Sequence, residues 1–176
     1  DFRIESNGQP RPIVQFAGDQ GPVTVAVLLD ASGSMQVNGT FTPASHAAWG
    51  LLQSLEQGRD RAAVFSFDKD VALREGFGPV GPAHQLALEH LRAFGSTSLY
   101  DAVRTASEAA AQDAHPRRGV VVYTDGLDTS SLSSPAEVRR LAATLDVPLY
   151  LIAVMTPGTP AKAGYVDVAA DHPMRT

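Results

Sequence analysis

The chain has no cysteine, so disulfides and thiolate metal sites are excluded, and the redox compartment is left open. It has only two lysines, Lys69 and Lys162, and its 14 basic residues are outnumbered by 19 acidic ones, for a net charge of -5. The basic residues are scattered, with Arg117-Arg118 and Arg139-Arg140 the only adjacent pairs, which argues against a nucleic-acid partner needing clustered positive charge. No apolar run is long enough to cross a bilayer. No Gly-x-Gly-x-x-Gly follows a strand, so the dinucleotide fingerprint is missing, and there is neither an internal repeat nor a low-complexity tract. What remains is globular: 176 residues, 44% hydrophobic and 19% charged, enough for one domain with a real core. The first residue is Asp1 and no signal peptide is visible, as expected of a mature product or an excised fragment.

Four short stretches rich in Val, Leu and Ile do not alternate and so predict strands buried on both faces: residues 23–29, 62–67, 120–123 and 149–154. Helical periodicity lies between them. Thr42-Pro43 predicts a cap and first helical position, and residues 85–94 and 99–111 predict two more helices. Ser134-Pro135-Ala136-Glu137 is a capping box opening a helix that runs to Leu145. Strands alternating with helices predict an α/β fold, a Rossmann-like open and mostly parallel sheet with helices on both faces. Residues 71–77 follow the second strand after only Asp68-Lys69-Asp70, too short a link for a crossover, and predict one antiparallel edge strand. A β-hairpin, residues 2–5 and 13–16 around Asn7-Gly8, is predicted to precede the sheet. The expected organisation is a hairpin extension at 1–18, a main domain at 19–156, and a C-terminal segment at 157–176 with a weak helical pattern at 161–170.

Ligands of open α/β sheets bind beyond the carboxyl ends of the strands, where strand order reverses. Polar residues concentrate there: Asp30-Ala31-Ser32-Gly33-Ser34 after the first strand, Thr124-Asp125-Gly126 after the fourth, and Gly95-Ser96-Thr97-Ser98 before the 99–111 helix. Two carboxylates and several hydroxyls, without thiolate or imidazole, suit Mg2+ or Mn2+, and Ca2+ less well. Two acids cancel a dication only formally, so such an ion accepts one more anionic oxygen.

Asp30-x-Ser32-x-Ser34, the Thr97 loop and Asp125 resemble, in order and spacing, the metal-ion-dependent adhesion site of von Willebrand factor A domains. Leu28-Leu29-Asp30, Leu99-Tyr100-Asp101-Ala102 and Tyr123-Thr124-Asp125-Gly126 match too, and the likeness covers roughly residues 23–154. The lead-in with Asp1-Phe2 and Asn7-Gly8 is similar to a bacterial branch of that family. The resemblance implies that Ser32, Ser34 and Thr97 offer hydroxyls to the ion while Asp30 and Asp125 hold it directly or through water. It further implies a non-enzymatic module whose metal coordinates an Asp or Glu carboxylate of a partner protein, in an extracellular or cell-envelope setting. Two departures stand out: Ser96 replaces a usual glycine, and the C-terminal helix that closes the family's sheet is hard to find.

Alone, Asp-x-Ser-x-Ser is an ordinary helix-capping loop; three polar loops at strand ends make the metal site the stronger reading. Thr97 has an alternative as a helix cap, a role Ser98 can fill with Asp101 as its capping acid. Asp68 and Asp70 are read as turning the chain into the edge strand, and Asp128 as a solvated loop acid. His46, His84, His90, His115 and His172 lack ligand spacing and are read as surface or capping residues. Trp49, Phe94 and Met35 are read as core, and Gly33 as serving loop geometry. The competing enzyme reading makes Asp30 the nucleophile of a magnesium-dependent phosphohydrolase. That chemistry wants an acid at position 32, which is Ser, and a lysine near the loops, where none is expected.

Overall fold

The computed structural model describes residues 4–6, 9–11, 21–126 and 128–155. Its centre is a five-stranded sheet built from β3 (Val23–Asp30), β4 (Arg61–Phe67), β5 (Val71–Pro79), β6 (Arg117–Thr124) and β7 (Leu149–Ala153), in the order β5-β4-β3-β6-β7. Only the β4–β5 pair is antiparallel, and β5 is the edge strand that the short Asp68–Asp70 link predicts. The hairpin pairs β1 (Ile4–Ser6) with β2 (Gln9–Arg11), Ser6 opposite Gln9. Its second strand therefore starts at Gln9 rather than at 13. Residues 13–16 and 157–176, with the helical pattern at 161–170, lie outside the described residues.

The central strand explains its own composition. Val25, Val27 and Leu29 enter one core with Met35, Ala44, Ala48, Leu52 and Leu88. Ala26 and Leu28 enter the other, with Ala102, Val103, Ala106 and Val138. Both faces of β3 are thus buried, as its non-alternating sequence requires. The first core is covered by α2 (Phe41–Gln53) and α3 (Pro82–Glu89), the second by α4 (Leu99–Ala111) and α5 (Pro135–Leu145). Helix α5 opens on the capping box, with Ser134 and Glu137 bonded reciprocally.

Several expectations are corrected. A short helix α1 (Gly33–Val37) follows β3, and α2 begins at Phe41 rather than at Thr42-Pro43. Helix α3 runs from Pro82 to Glu89 instead of 85–94: Pro82 sets the first turn, and the chain leaves the helix at His90. Phe94 then lies outside any helix and is 81% exposed, whereas Trp49 packs against the first core and Met35 is fully buried. Strand β7 is largely exposed rather than buried on both faces, since it forms an edge of the described sheet. His84 is not a surface residue: it is 3% exposed, and its Nε2 donates to the Ala62 carbonyl at 2.9 Å, tying α3 to β4.

At the amino ends of the strands two acids knit the sheet to its loops. Asp113 accepts from the Thr24 hydroxyl at 2.7 Å and the His115 N–H at 3.1 Å, and faces Arg61 at 3.5 Å. Asp60 accepts from the N–H groups of Val23 at 3.0 Å and Glu56 at 2.9 Å. Among the described residues no helix is long and apolar enough to cross a membrane.

Candidate functional site

The chain leaves β3 for β4 on one side, while β6 lies on the other, so strand order reverses between β3 and β6. Asp30 ends β3 and Asp125 directly follows β6, which places both carboxylates at this switch point.

The first loop turns sharply after Asp30. The Ser32 N–H donates to Asp30 Oδ1 at 2.8 Å, and the Gly33 N–H donates to the Gly95 carbonyl at 2.9 Å. A Cβ on Gly33 would stand 3.2 Å from that carbonyl oxygen, so glycine lets the two loops touch. Gly95 itself has φ +93°, whereas Ser96 is not among the positive-φ residues. The left-handed position of this loop is therefore filled by Gly95, and a side chain at 96 carries no backbone penalty.

The second loop is pinned from both sides. The Ser98 N–H donates to the Asp68 carbonyl at 2.8 Å and its hydroxyl to the Lys69 carbonyl at 2.7 Å. The expectation that no lysine lies near the three loops is thus corrected for the Lys69 backbone. Thr129 accepts from the Thr97 N–H at 2.9 Å and returns its own N–H to the Thr97 carbonyl at 2.8 Å. Ser98 occupies the N-cap position of α4, but its side chain makes no cap bond. Asp128 and Ser131 accept from the first-turn N–H groups of Tyr100 and Asp101 instead, so the Thr97 hydroxyl is not spent on capping. Asp101 does not close a capping box either. It accepts from the N–H groups of Leu132 at 2.8 Å and Ser133 at 3.0 Å, fastening the loop after β6 onto α4. Asp128, expected to be solvated, accepts from the Tyr100 and Ser131 N–H groups and the Ser131 hydroxyl. Asp68 does turn the chain, accepting from the Asp70 N–H at 2.9 Å.

The third loop brings the carboxylates to the hydroxyls. Ser34 donates to Asp125 Oδ1 at 2.9 Å, and the Ser32 and Ser34 hydroxyls are 3.0 Å apart. An ideal Cβ on Gly126 lies 3.7 Å from Thr97 Oγ1 and 3.8 Å from both Asp30 Oδ2 and Ser34 Oγ. Oxygens of the first and second loops therefore surround a point on the third, and Asp125 joins the cluster through Ser34. Asp30, Ser32 and Thr97 are buried, while Ser34 is exposed and Asp125 half-buried, so the cluster has a closed floor and an open mouth. Burial pushes the Asp30 carboxyl above the usual range, and the Asp125 charge adds to this. Hydrogen bonds from Thr124 and Ser32 only partly offset it.

Sequence reasoning missed three residues. The Thr124 hydroxyl donates to Asp30 Oδ2, Asn38 Nδ2 to Asp125 Oδ2 at 2.9 Å, and Thr40 Oγ1 to the same oxygen at 3.1 Å. A signal existed in Asn38-Gly39-Thr40: Gly39, at φ +68°, turns the chain after α1 and returns Thr40 toward Asp125. Placing the helix start at 42–43 hid it. Among the described residues no three His, Cys, Asp or Glu side chains cluster to hold a metal, so any ion here must rely on hydroxyls beside two carboxylates.

No curated protein matches the sequence. Solved structures with the same fold include a von Willebrand factor type A protein from Catenulispora acidiphila, with TM-score 0.65, 19% identity, 74% of this chain and 33% of that one. BatB from Bacteroides thetaiotaomicron aligns with TM-score 0.63 and 18% identity over 79% of this chain and 74% of that one. Three N-terminal domains of the type V pili tip protein Mfa5 from Porphyromonas gingivalis align with TM-score 0.58 and 18% identity, over 66% of this chain and 22% of that one. The chain thus spans a third or less of the Catenulispora and Mfa5 structures. The family model of the von Willebrand factor type A domain matches residues 25–127, from the central strand past the third loop, and the chain belongs to that family.

Proposed function

We propose that this chain is a divalent-cation-dependent protein-binding module, in which Asp30, Ser32, Ser34, Thr97 and Asp125 form a metal-ion-dependent adhesion site for Mg2+ or Mn2+. The convergence of Thr97 Oγ1, Asp30 Oδ2 and Ser34 Oγ around the Gly126 position carries this reading. The donors are hard oxygens without sulfur or imidazole, which fits Mg2+ or Mn2+ better than Zn2+. Bound there, the ion supplies positive charge for one further anionic oxygen, from an Asp or Glu of a partner protein. The chain's own residues prepare that position. Asn38 and Thr40 fix Asp125, Thr124 fixes Asp30, and the exposed Ser34 leaves the mouth open to a large ligand. Mfa5, at a pilus tip, shares the fold, which supports an adhesion or assembly role in an extracellular or cell-envelope setting.

Calorimetry on chelator-stripped protein tests the ion directly: one saturable site for Mg2+ or Mn2+ is expected, and no heat with Mg2+, Mn2+ or Ca2+ overturns the reading. At 100 times its Kd the ion stabilises the fold by about 2.7 kcal/mol. For a domain of this size that raises Tm by roughly 5–10 °C.

Gly126→Ala gives a separate check. Gly126 has no positive φ, so alanine adds no backbone strain, but its methyl enters the space between the three oxygens. The variant is expected to melt like the parent in chelator and to bind Mg2+ about tenfold or more weakly. Parental affinity would show that the ion sits elsewhere.

A further inference from the structure

Nine large apolar side chains are notably exposed among the described residues, and the three most exposed are Leu132 at 96%, Val37 at 86% and Phe94 at 81%. Single exposed hydrophobics are ordinary. The distribution of these three is not, because each lies within six residues along the chain of a different loop of the candidate site. Val37 ends α1, three residues after Ser34 and next to Asn38, which bonds Asp125. Phe94 precedes Gly95, and its N–H donates to the Ala31 carbonyl at 2.7 Å, inside the Asp30–Ser34 loop. Leu132 is held through its N–H by Asp101, and its loop is held to the Thr97 carbonyl by Thr129 and Ser130. The other six lie on β5, α3, β7 or just after β7.

Each of the three is anchored through its backbone or its neighbours while its side chain stays in water. Such exposure goes unrewarded in the free protein and is relieved only when something covers it. The surroundings also say what kind of ligand does so. Lys69 is the only lysine among the described residues, and Arg104 is bonded to the Ser133 hydroxyl at 3.0 Å, so the described rim offers little for a polyanion such as a nucleotide. We infer that Val37, Phe94 and Leu132 form an apolar rim around the cation site, and that its partner is a protein segment presenting one acidic residue between apolar neighbours. This deepens the adhesion-site reading and rests on it. The ion takes the carboxylate, the rim takes the flanking side chains, and the rim supplies the selectivity that a lone carboxylate on a metal lacks.

The test uses the Mg2+-loaded chain and two blocked peptides, acetyl-Leu-Glu-Phe-amide and acetyl-Ser-Glu-Ser-amide, with titrations followed by amide NMR shifts. The Leu-Glu-Phe peptide is expected to bind about tenfold more tightly, since its two apolar side chains leave water on docking. Combining Val37→Ser, Phe94→Ser and Leu132→Ser should narrow the ratio to about twofold or less, because the rim no longer offers apolar surface. All three side chains are exposed, so the variant loses little core packing, and calorimetric Mg2+ titration reports its ion site independently. Equal binding of the two peptides, binding of neither, or a preference that survives the triple substitution overturns the rim. A parent chain that takes up no Mg2+ overturns the adhesion site itself, and the two failures are thereby distinguished.

Discussion

Asp30→Asn is expected to leave a folded protein whose affinity for Mg2+ is lower by on the order of 100-fold or more, beyond the usual cost of losing a supporting residue. Asn has nearly the shape of Asp and can still accept from the Ser32 N–H, which donates to Asp30 Oδ1 at 2.8 Å. It removes one of only two negative charges facing the ion, and hydroxyls cannot replace that charge. Without metal, the native carboxylate is held at a disadvantage: it is fully buried and faces the like charge of Asp125. The melting temperature of Asp30→Asn in chelator should therefore equal or exceed that of the parent, while its rise on adding Mg2+ disappears. Asp125→Ala should also lose the ion and stay folded, since Asp125 is half-buried on a loop and carries little of the core. Parallel calorimetry and thermal melts check both variants. Unfolded variants would make these acids structural, and retained affinity would move the ion elsewhere.

The second large effect lies at the opposite end of the sheet. Asp113→Ala should destabilise the domain by about 1–3 kcal/mol, because it strips the carboxylate from Arg61 and leaves the fully buried Thr24 hydroxyl with only His115 as a partner. Thermal melts should register a drop of roughly 2–10 °C, with Mg2+ binding retained. The same network predicts acid sensitivity. Burial by itself would raise the Asp113 carboxyl, but the Thr24 hydroxyl, the His115 N–H and Arg61 together hold it below the usual range. Asp60 is also held low: burial opposes ionisation, and the N–H groups of Val23 and Glu56 outweigh it. A carboxylate lowered on folding adds stability that is fully present above its unfolded value, about 3.9, and is lost as pH falls through the folded value. Urea unfolding at pH 7 and at pH 3 should show that loss, smaller in Asp113→Asn. The Asp30 carboxyl, being raised, acts in the opposite sense and softens the decline. A domain equally stable at both pH values would refute the role of these acids.

Much of the fold was legible because strand burial leaves a direct mark on composition. Residues 23–29 do not alternate since both faces of β3 meet a core, and the short Asp68–Asp70 link forces an antiparallel neighbour. The capping box at Ser134 and Glu137 was legible for the same local reason: its partners are three residues apart. Phe94 was misread because a helical apolar pattern does not reveal where the helix stops. His84 was misread because the carbonyl that its Nε2 bonds, Ala62, is 22 residues away.

The sequence by itself determined the sheet's strands, the single antiparallel edge, and the three polar loops with Asp30, Ser32, Ser34, Thr97 and Asp125, because these depend on local composition, spacing and family pattern. Only the tertiary structure decided that the oxygens of Asp30, Ser34 and Thr97 surround one point beside Gly126. It alone decided that Asn38 and Thr40 hold Asp125, and that Val37, Phe94 and Leu132, close along the chain to those loops, stand exposed. The reason is separation along the chain: Asp125 meets Ser34 across 91 residues, a contact set by strand order and not by any local propensity.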